Sequence, residues 1–258
     1  MRVGLKSCFR SCVGHKLILL SLLLLQLLYL IIHFAVNVKS FIVIGDQFQN
    51  LMGLLQNANY DAQTIDAGTP FMQNIGMFYS NLSALIASVK QLIGYELLIF
   101  LILGVALWTG TALLFRRLNV KEAVKLYGHM LARALVFLIP IYALIIVVLD
   151  RSLSIALGDS SLYVVLVLCF VLFYFMLVSL ALEGTLVDVI KRSFVVGLKK
   201  IHYIIGILVL IAAVASGSGY LVYLALDASL WILTLPILLV VAVLVVGRIL
   251  FVAVVRST

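Results

Sequence analysis

Six long stretches of almost uninterrupted apolar residues constrain this chain more than any other feature of its sequence. A helix that crosses the roughly 30 Å hydrocarbon core of a bilayer needs about 20 such residues. The stretches run at about 17–36, 91–115, 134–149, 162–182, 201–215 and 230–246. The third and fifth are short, but an amphipathic run precedes each and can extend it. The sequence therefore predicts an all-α, polytopic membrane protein with six transmembrane helices.

The composition excludes the main alternatives to a membrane protein. Of the 258 residues, 65% are hydrophobic and 11% are charged, whereas a soluble domain is about 45–50% apolar and about 25% charged. Too few polar side chains remain to cover a water-facing surface. A soluble enzyme, a disordered chain and a nucleic-acid-binding protein are excluded, although the net charge is +8. The leucine run 22–25 lacks the alternation of a β-barrel strand.

The basic residues predict the orientation of the chain. All but three of them precede the first span, follow the last, or lie in the links after the second and fourth spans; the exceptions are Lys39, Lys90 and Arg151. Cationic loops stay in the cytoplasm, so we predict a multi-pass protein of the plasma membrane with both termini cytoplasmic. The first apolar run is too long for a cleaved signal peptide. The positive charge then favours anionic lipids at the cytoplasmic face and requires no acidic partner.

Residues 118–183 and 184–249 resemble each other at a shift of 66 positions. Each copy opens with a capping box, formed by Asn119 with Glu122 in the first and by Thr185 with Asp188 in the second. A degenerate third copy is suggested at the N-terminus. The pattern predicts a single transmembrane domain, 1–258, built from repeats 1–117, 118–183 and 184–258, with a helical insertion at 37–90. The alternative is that basic, amphipathic segments before hydrophobic spans look alike by chance.

An amphipathic helix follows each capping box and precedes a hydrophobic hairpin. In the first copy the apolar residues recur at three- and four-residue steps, at Val120, Ala123, Val124, Tyr127, Leu131 and Ala134. In the second copy they are Leu186, Val189, Ile190, Phe194, Gly197 and Leu198. Polar residues, including Arg133, occupy the opposite face of the first copy. We predict an elbow helix in the cytoplasmic interface, after which the chain turns into a span.

The segments 119–133 and 185–200, each entering a hydrophobic hairpin, give the chain a family resemblance. This layout resembles the glycerophosphodiesterase membrane-domain-like group of prokaryotic integral membrane proteins, which includes the YciC-type proteins. The resemblance covers residues 118–258 and implies a helical membrane fold without an assigned activity. In the phosphodiesterase relatives the catalytic domain lies outside the membrane portion, and nothing in this chain matches it. The insertion 37–90 departs from the pattern.

The insertion predicts two amphipathic helices outside the membrane. Apolar residues are spaced for one helical face from Phe41 to Leu55 and for another from Phe71 to Ile86, with Thr69 and Pro70 suited to a helix start. These helices are expected to pack on each other or to lie on the outer leaflet. Apolar faces outside the bilayer also make 41–88 a candidate segment for binding a protein partner. Asn81 opens an Asn-Leu-Ser sequon, a candidate glycosylation site.

Polar residues inside the spans are candidates for a transport path, because ionisable groups are costly there. Glu96 is one, and it also suits a position at the outer interface. Gln26 and His33 share a face of the first span, where they could bond to other helices. Pro236 interrupts the last span and can kink it. These four residues are the candidate path of a permease, although a structural role is favoured for each of them.

Other residues in the spans predict packing. Small residues four apart allow helices to approach closely, and such pairs occur at Ala106 with Gly110 and at Ala213 with Gly217. Arg248 lies near the cytoplasmic end of the last span and is expected to extend towards the headgroups.

No catalytic motif accompanies these features, so we predict no enzyme activity and no cofactor. Cys8, Cys12 and His15 share a helical face, which suits a metal site, acylation of the thiols or ordinary packing. Since no metal pattern is complete, the sequence predicts no metal site. The function favoured by the sequence is that of a non-enzymatic scaffold or accessory subunit. The alternative is a small-molecule or lipid permease that uses a cavity between the hairpins.

Overall fold

The computed structural model describes residues 16–56, 75–116, 119–152, 159–226 and 229–256, and these residues form helices without any strand. In chain order the helices are α1 (Lys16–Gln56), α2 (Ile75–Ile99), α3 (Val105–Phe115), α4 (Val120–Ser152), α5 (Asp159–Ala181), α6 (Leu186–Lys199), α7 (Ile201–Leu224) and α8 (Leu230–Arg256). A π-helical turn, Phe100–Gly104, joins α2 to α3 without a break. Six of the resulting helical stretches are long and apolar enough to cross a membrane. The predicted all-α, polytopic membrane fold is therefore confirmed.

The first two membrane helices are about twice as long as a bilayer requires. α1 contains 41 residues and the stretch Gly76–Phe115 contains 40, so each is about 60 Å long at 1.5 Å per residue. The predicted helices of the insertion are confirmed where the structure describes it, but they continue the two spans without a break rather than starting anew. The predicted helix start at Thr69 and Pro70 lies outside the described residues.

The amphipathic segments differ between the two later copies. α4 continues through Arg133 and Ala134 without interruption, so the predicted turn between an elbow helix and its span is absent there. α6 is a separate helix that ends at Lys200, where φ is −112° and ψ is 17°. The repeat organisation and the interfacial position of these helices stay predictions.

The predicted capping box at Asn119 is confirmed in both directions, whereas at Thr185 the N-cap bond forms and the Asp188 carboxylate accepts from the Thr185 hydroxyl. The backbone N–H of Glu122 donates to Asn119 Oδ1 at 2.9 Å, and the Asn119 N–H donates to Glu122 Oε2 at 3.2 Å. The backbone N–H of Asp188 donates to Thr185 Oγ1 at 3.4 Å, and the Thr185 hydroxyl donates to the Asp188 carboxylate at 2.5 Å. These bonds satisfy N–H groups that the first helical turn leaves without partners. They determine where α4 and α6 begin.

The described residues separate into two compact units. The first contains residues within 16–31, 99–140 and 170–256, and the second contains residues within 32–98 and 141–169. An apolar core of the first unit joins α1, α3 and α8 through Leu22, Leu107, Leu114, Val245 and Ile249. The units do not follow the predicted repeat boundaries.

Glycine allows close helix packing at three places in the first unit. A Cβ atom on Gly110 would lie 2.7 Å from Leu22 Cδ2, one on Gly197 would lie 2.9 Å from Phe175 Cε1, and one on Gly247 would lie 2.9 Å from Ile211 Cγ1. The close approach predicted at Gly110 is confirmed. The one predicted at Gly217 is absent among the described residues, none of which places a neighbouring atom within 4 Å of a Cβ at that position. Side chains that surround a small residue decide whether a helix packs there, and spacing alone does not reveal them.

The π-helical turn exposes backbone acceptors inside the second span. The Tyr127 hydroxyl donates to the carbonyl oxygens of Leu101 and Ile102, each at 3.3 Å. A π-helical turn shifts the backbone hydrogen-bond register by one residue, and here a tyrosine from α4 uses the carbonyl groups of this turn. The contact joins α4 to the centre of the second span.

Candidate functional site

Three side chains of the second unit form a hydrogen-bonded group, which we call the polar cluster: His33, Asn37 and Glu96. The ring nitrogen Nδ1 of His33 lies 2.6 Å from Glu96 Oε2. Asn37 Nδ2 donates to Glu96 Oε1 at 2.5 Å and to the His33 carbonyl oxygen at 2.8 Å. Both carboxylate oxygens of Glu96 therefore have partners on α1. Two of the four candidate path residues, His33 and Glu96, are brought into contact.

The polar cluster lies inside the apolar part of its helices. His33 is six residues from Lys39 along α1, and Glu96 is six residues from Lys90 along α2, which corresponds to about 9 Å at 1.5 Å per residue. The side chains of His33 and Glu96 are 43% and 27% exposed. A carboxylate facing hydrocarbon is costly. The hydrogen bonds from α1 reduce that cost.

The same unit contains an ion pair near the ends of two apolar stretches. The Lys90 ammonium contacts the Asp150 carboxylate at the end of α4. Lys39 and Lys90 are two of the three basic residues that the charge distribution assigns to the outer side. The pair thus joins α2 to α4 where their apolar stretches end.

Gln26, the third candidate path residue, belongs to the first unit and has a different partner. Its side chain is buried, and its Oε1 accepts a hydrogen bond from Arg248 Nη2 at 2.5 Å. The Arg248 guanidinium also lies 5.9 Å from the centre of the Trp108 ring, within the range of a cation–π contact. Bonding of Gln26 and of His33 across helices is confirmed. The prediction that Arg248 extends towards the headgroups is wrong, because it is held beside Gln26.

Pro236, the fourth candidate, is half-buried within α8. The helix continues on both sides of it, so a predicted break is absent. Pro236 is the seventh residue of α8, so its missing N–H leaves the Ile232 carbonyl without its i→i−4 donor. A place for Pro236 in a transport path stays a prediction.

The remaining candidates are Asn81 for glycosylation and Cys8, Cys12 and His15 for metal binding or acylation. Asn81 is half-buried inside α2, whereas glycosylated sequons lie in surface loops; its glycosylation stays a prediction. Cys8, Cys12 and His15 lie outside the described residues. Across the described ranges, no three His, Cys, Asp or Glu side chains lie close enough to hold a metal ion.

Arg133 is the main residue that the sequence analysis misplaced. It was predicted on the polar face of α4, but it is only 1% exposed. Its Nη1 donates to the carbonyl oxygens of Leu182, at 2.8 Å, and Ser179, at 3.3 Å, while Nη2 donates to that of Gly184 at 2.6 Å. The Ser179 carbonyl belongs to the last turn of α5, and those of Leu182 and Gly184 follow it. The C-terminal end of a helix dipole is negative and favours a cation. Arg133 therefore caps α5.

α4 buries a different face from the one that its sequence predicts. Val120 and Val124, predicted on the apolar face, are 81% and 67% exposed, whereas Met130 and Phe137 are buried. At 3.6 residues per turn, the buried face is rotated by about a sixth of a turn from the predicted one, and Ala134 belongs to both. This rotation moves Arg133 into the protein interior. No local signal reveals it, because lipid and protein interior favour the same apolar residues.

Arg256 and Lys200 also donate to backbone carbonyl groups at this end of the first unit. Arg256 Nε donates to the Ala181 carbonyl at 2.8 Å, and Arg256 Nη1 lies 2.6 Å from Glu183 Oε1. Lys200, in the link between α6 and α7, donates to the Val254 carbonyl at 3.0 Å. Burial lowers the pKa of the Lys200 ammonium, because a poorly hydrated site disfavours the charged form. These contacts tie the C-terminus of α8 to α5 and to the α6–α7 link.

Comparisons of this chain with protein-family models, with curated proteins and with solved structures find no match. The resemblance to the glycerophosphodiesterase membrane-domain-like group therefore stays a prediction from the sequence.

Proposed function

We propose that this protein is a non-enzymatic scaffold or accessory subunit of a membrane complex. In this proposal it resides in the plasma membrane of a prokaryote with both termini in the cytoplasm. Its partner protein binds the outer parts of α1 and α2, within residues 41–88. The observation that carries the proposal is the apolar surface that these parts expose, which in this proposal lies beyond the bilayer.

The lengths of the two helices support a projecting structure. From Lys16 to Lys39, α1 extends about 35 Å at 1.5 Å per residue, which already exceeds a hydrocarbon core of about 30 Å. Residues 40–56 of α1 and 75–89 of α2 then extend beyond the membrane. Each projection amounts to at least four helical turns, enough to present a continuous face to a partner.

The exposed face of the α1 projection suits an apolar partner. Phe41, Phe48 and Met52 lie on one side of the helix, since they are separated by seven and four residues, and they are 62%, 51% and 37% exposed. Leu51, on the neighbouring side, is buried, so packing within the protein uses a different face. Exposed apolar patches outside the bilayer mark interaction sites. A partner that contributes an apolar helical face would cover this stripe.

Site-specific photo-crosslinking in the native membrane tests the proposal. A photoreactive phenylalanine analogue at position 48 is expected to give one crosslinked product with a distinct protein. The same analogue at position 50, on the opposite side of α1, is expected to give none. Truncating aromatic anchors of an interface costs about 2 kcal/mol each or more. Phe41→Ser with Phe48→Ser should therefore reduce partner recovery by about tenfold or more, while Asn50→Ala should leave it unchanged.

Two outcomes would contradict an accessory subunit. A crosslinked product at twice the mass of the chain would identify a second copy as the occupant of the stripe. Equal crosslinking from positions 48 and 50 to many proteins or to lipid would show that the stripe has no specific partner.

The polar cluster favours a second candidate, a permease for a small molecule or lipid. A carboxylate paired with an imidazole inside the apolar region is a common arrangement along transport paths. In this candidate, the partly exposed side chains of His33 and Glu96 contact the transported molecule.

Flux into reconstituted vesicles tests the permease. Labelled amino acids, labelled sugars and fluorescent phospholipids serve as probes, each compared with protein-free vesicles. The permease candidate expects transport of one probe that Glu96→Gln reduces to the protein-free level. Asp46→Asn, which changes a carboxylate in the α1 projection, should leave that transport intact. Vesicles that move none of these probes, or that move one equally well with Glu96→Gln, count against the candidate.

A further inference from the structure

A cavity of about 310 Å³ lies in the first unit, at the end where α3 stops, α4 starts and α8 finishes. The end of α3 contributes Arg116, α4 contributes Lys125, His129 and Arg133, and α8 contributes Arg256. This is the end that the charge distribution predicts to be cytoplasmic. The cavity is separate from the polar cluster and from the α1 projection, and its residues have no part in the proposed function.

The charged residues that line the cavity are mainly positive. Four are arginine or lysine and two are glutamate, namely Glu122 and Glu183. Both glutamates already have partners, because Glu183 pairs with Arg256 at 2.6 Å and Glu122 accepts the Asn119 N–H at 3.2 Å. Arg116 and Lys125 are exposed. The cavity therefore attracts anions.

Two buried guanidinium nitrogens in the lining make the cavity more than a basic surface. Arg133 Nε and Arg256 Nη2 are buried and have no hydrogen-bond partner among the residues that the structure describes. Arg133 itself is 1% exposed and its other two nitrogens are committed to carbonyl groups. A buried donor without an acceptor costs about 1–3 kcal/mol, more when it is charged. Both atoms have almost no exposed surface, so an anion supplies the missing acceptors where its binding turns these two side chains towards the cavity.

The size of the cavity and its donors favour one class of anion. Cavities that hold drug-sized ligands measure about 300–1,000 Å³, so this one suits a compact group. Guanidinium groups present several N–H donors in a plane and match the oxygens of a phosphate well. We propose that this cavity binds a phosphate group, carried either by the headgroup of a membrane phospholipid or by a soluble phosphate ester.

Binding measurements in nanodiscs test the site and separate the two sources. The full-length protein is placed in phosphatidylcholine nanodiscs and titrated with inorganic phosphate. In a second arm, phosphatidylcholine discs contain a minor fraction of phosphatidic acid, and retained lipid is counted by native mass spectrometry. Binding in the first arm supports a soluble phosphate ester. Retention of phosphatidic acid without binding of inorganic phosphate supports a lipid headgroup.

Charge-matched variants decide whether the cavity is responsible. Arg116→Gln with Lys125→Gln removes two exposed lining cations and should weaken binding in the responsive arm by about tenfold or more, since a hydrogen bond to a charged group contributes about 1.5–3 kcal/mol. Lys121→Gln with Lys191→Gln removes two cations outside the lining and should change it less than twofold. Because all four side chains are exposed, both variants are expected to fold. Equal loss in the two variants, or no binding in either arm, would overturn the proposal.

Discussion

Replacing Arg133 with methionine is expected to lower the free energy of unfolding by about 3 kcal/mol or more. The substitution removes the guanidinium that serves the carbonyl groups of Ser179, Leu182 and Gly184. Those acceptors lie at a buried helix end, and each costs about 1–3 kcal/mol when it loses its donor. Unfolding of the protein in detergent micelles, followed by helix content against denaturant or temperature, measures the loss.

Two control variants make the Arg133 test specific. Lys125→Met removes an exposed cation from the same helix and should change the free energy of unfolding by about 0.5 kcal/mol or less. Arg133→Lys keeps the charge but lacks the planar fork of donors, so an intermediate loss is expected. If Arg133→Met proved as stable as Lys125→Met, the cap would contribute nothing and the residue would be an interfacial cation as its sequence position suggests.

Replacing Gly247 with leucine is expected to destabilise the packing of α7 against α8. A Cβ atom at this position would lie 2.9, 3.0 and 3.1 Å from Ile211 Cγ1, Cγ2 and Cδ1. Because these contacts are shorter than ordinary van der Waals distances, either the Ile211 side chain or the two helices must shift to admit the new atoms. Overpacking of this kind costs about 1–3 kcal/mol. Thermal unfolding of the variant should therefore begin at a lower temperature than that of the unchanged protein.

Gly206 provides the matched control for Gly247, because it is a helical glycine on α7 with no atom within 4 Å of its Cβ position. Gly206→Leu adds the same side chain to an open position and improves helix propensity by up to about 1 kcal/mol. The two substitutions should thus act in opposite directions. Equal destabilisation by both would mean that leucine is unfavourable at helical glycines generally and that the Ile211 contact has no special importance.

The features that the sequence predicted correctly depend on short stretches of chain. The six apolar runs predicted the six membrane helices, and the pairs Asn119 with Glu122 and Thr185 with Asp188 predicted the starts of α4 and α6. The bonding of Gln26 and His33 across helices also followed from local reasoning, since a polar group in an apolar span needs a partner. The identity of each partner did not, because Arg248 is 222 residues from Gln26.

The features that the sequence did not predict depend on residues that are distant in the chain. The outer segments of α1 and α2 are amphipathic and fit either separate helices or extensions of the spans. Gly197 and Gly247 look no different from Gly217, yet only the first two have a neighbouring side chain close enough to require glycine. The cavity likewise combines residues of α3, α4 and α8 with the α5–α6 link.

The amino-acid sequence by itself determined that this chain forms membrane-spanning helices and how many there are. A backbone in hydrocarbon must satisfy its own hydrogen bonds, and a helix does so within each segment. Only the tertiary structure decided which face of each helix is buried and which cations become buried with it. Lipid and protein interior are almost equally apolar, so hydropathy does not distinguish a face that meets lipid from one that meets another helix. Arg133 became an interior helix cap for that reason.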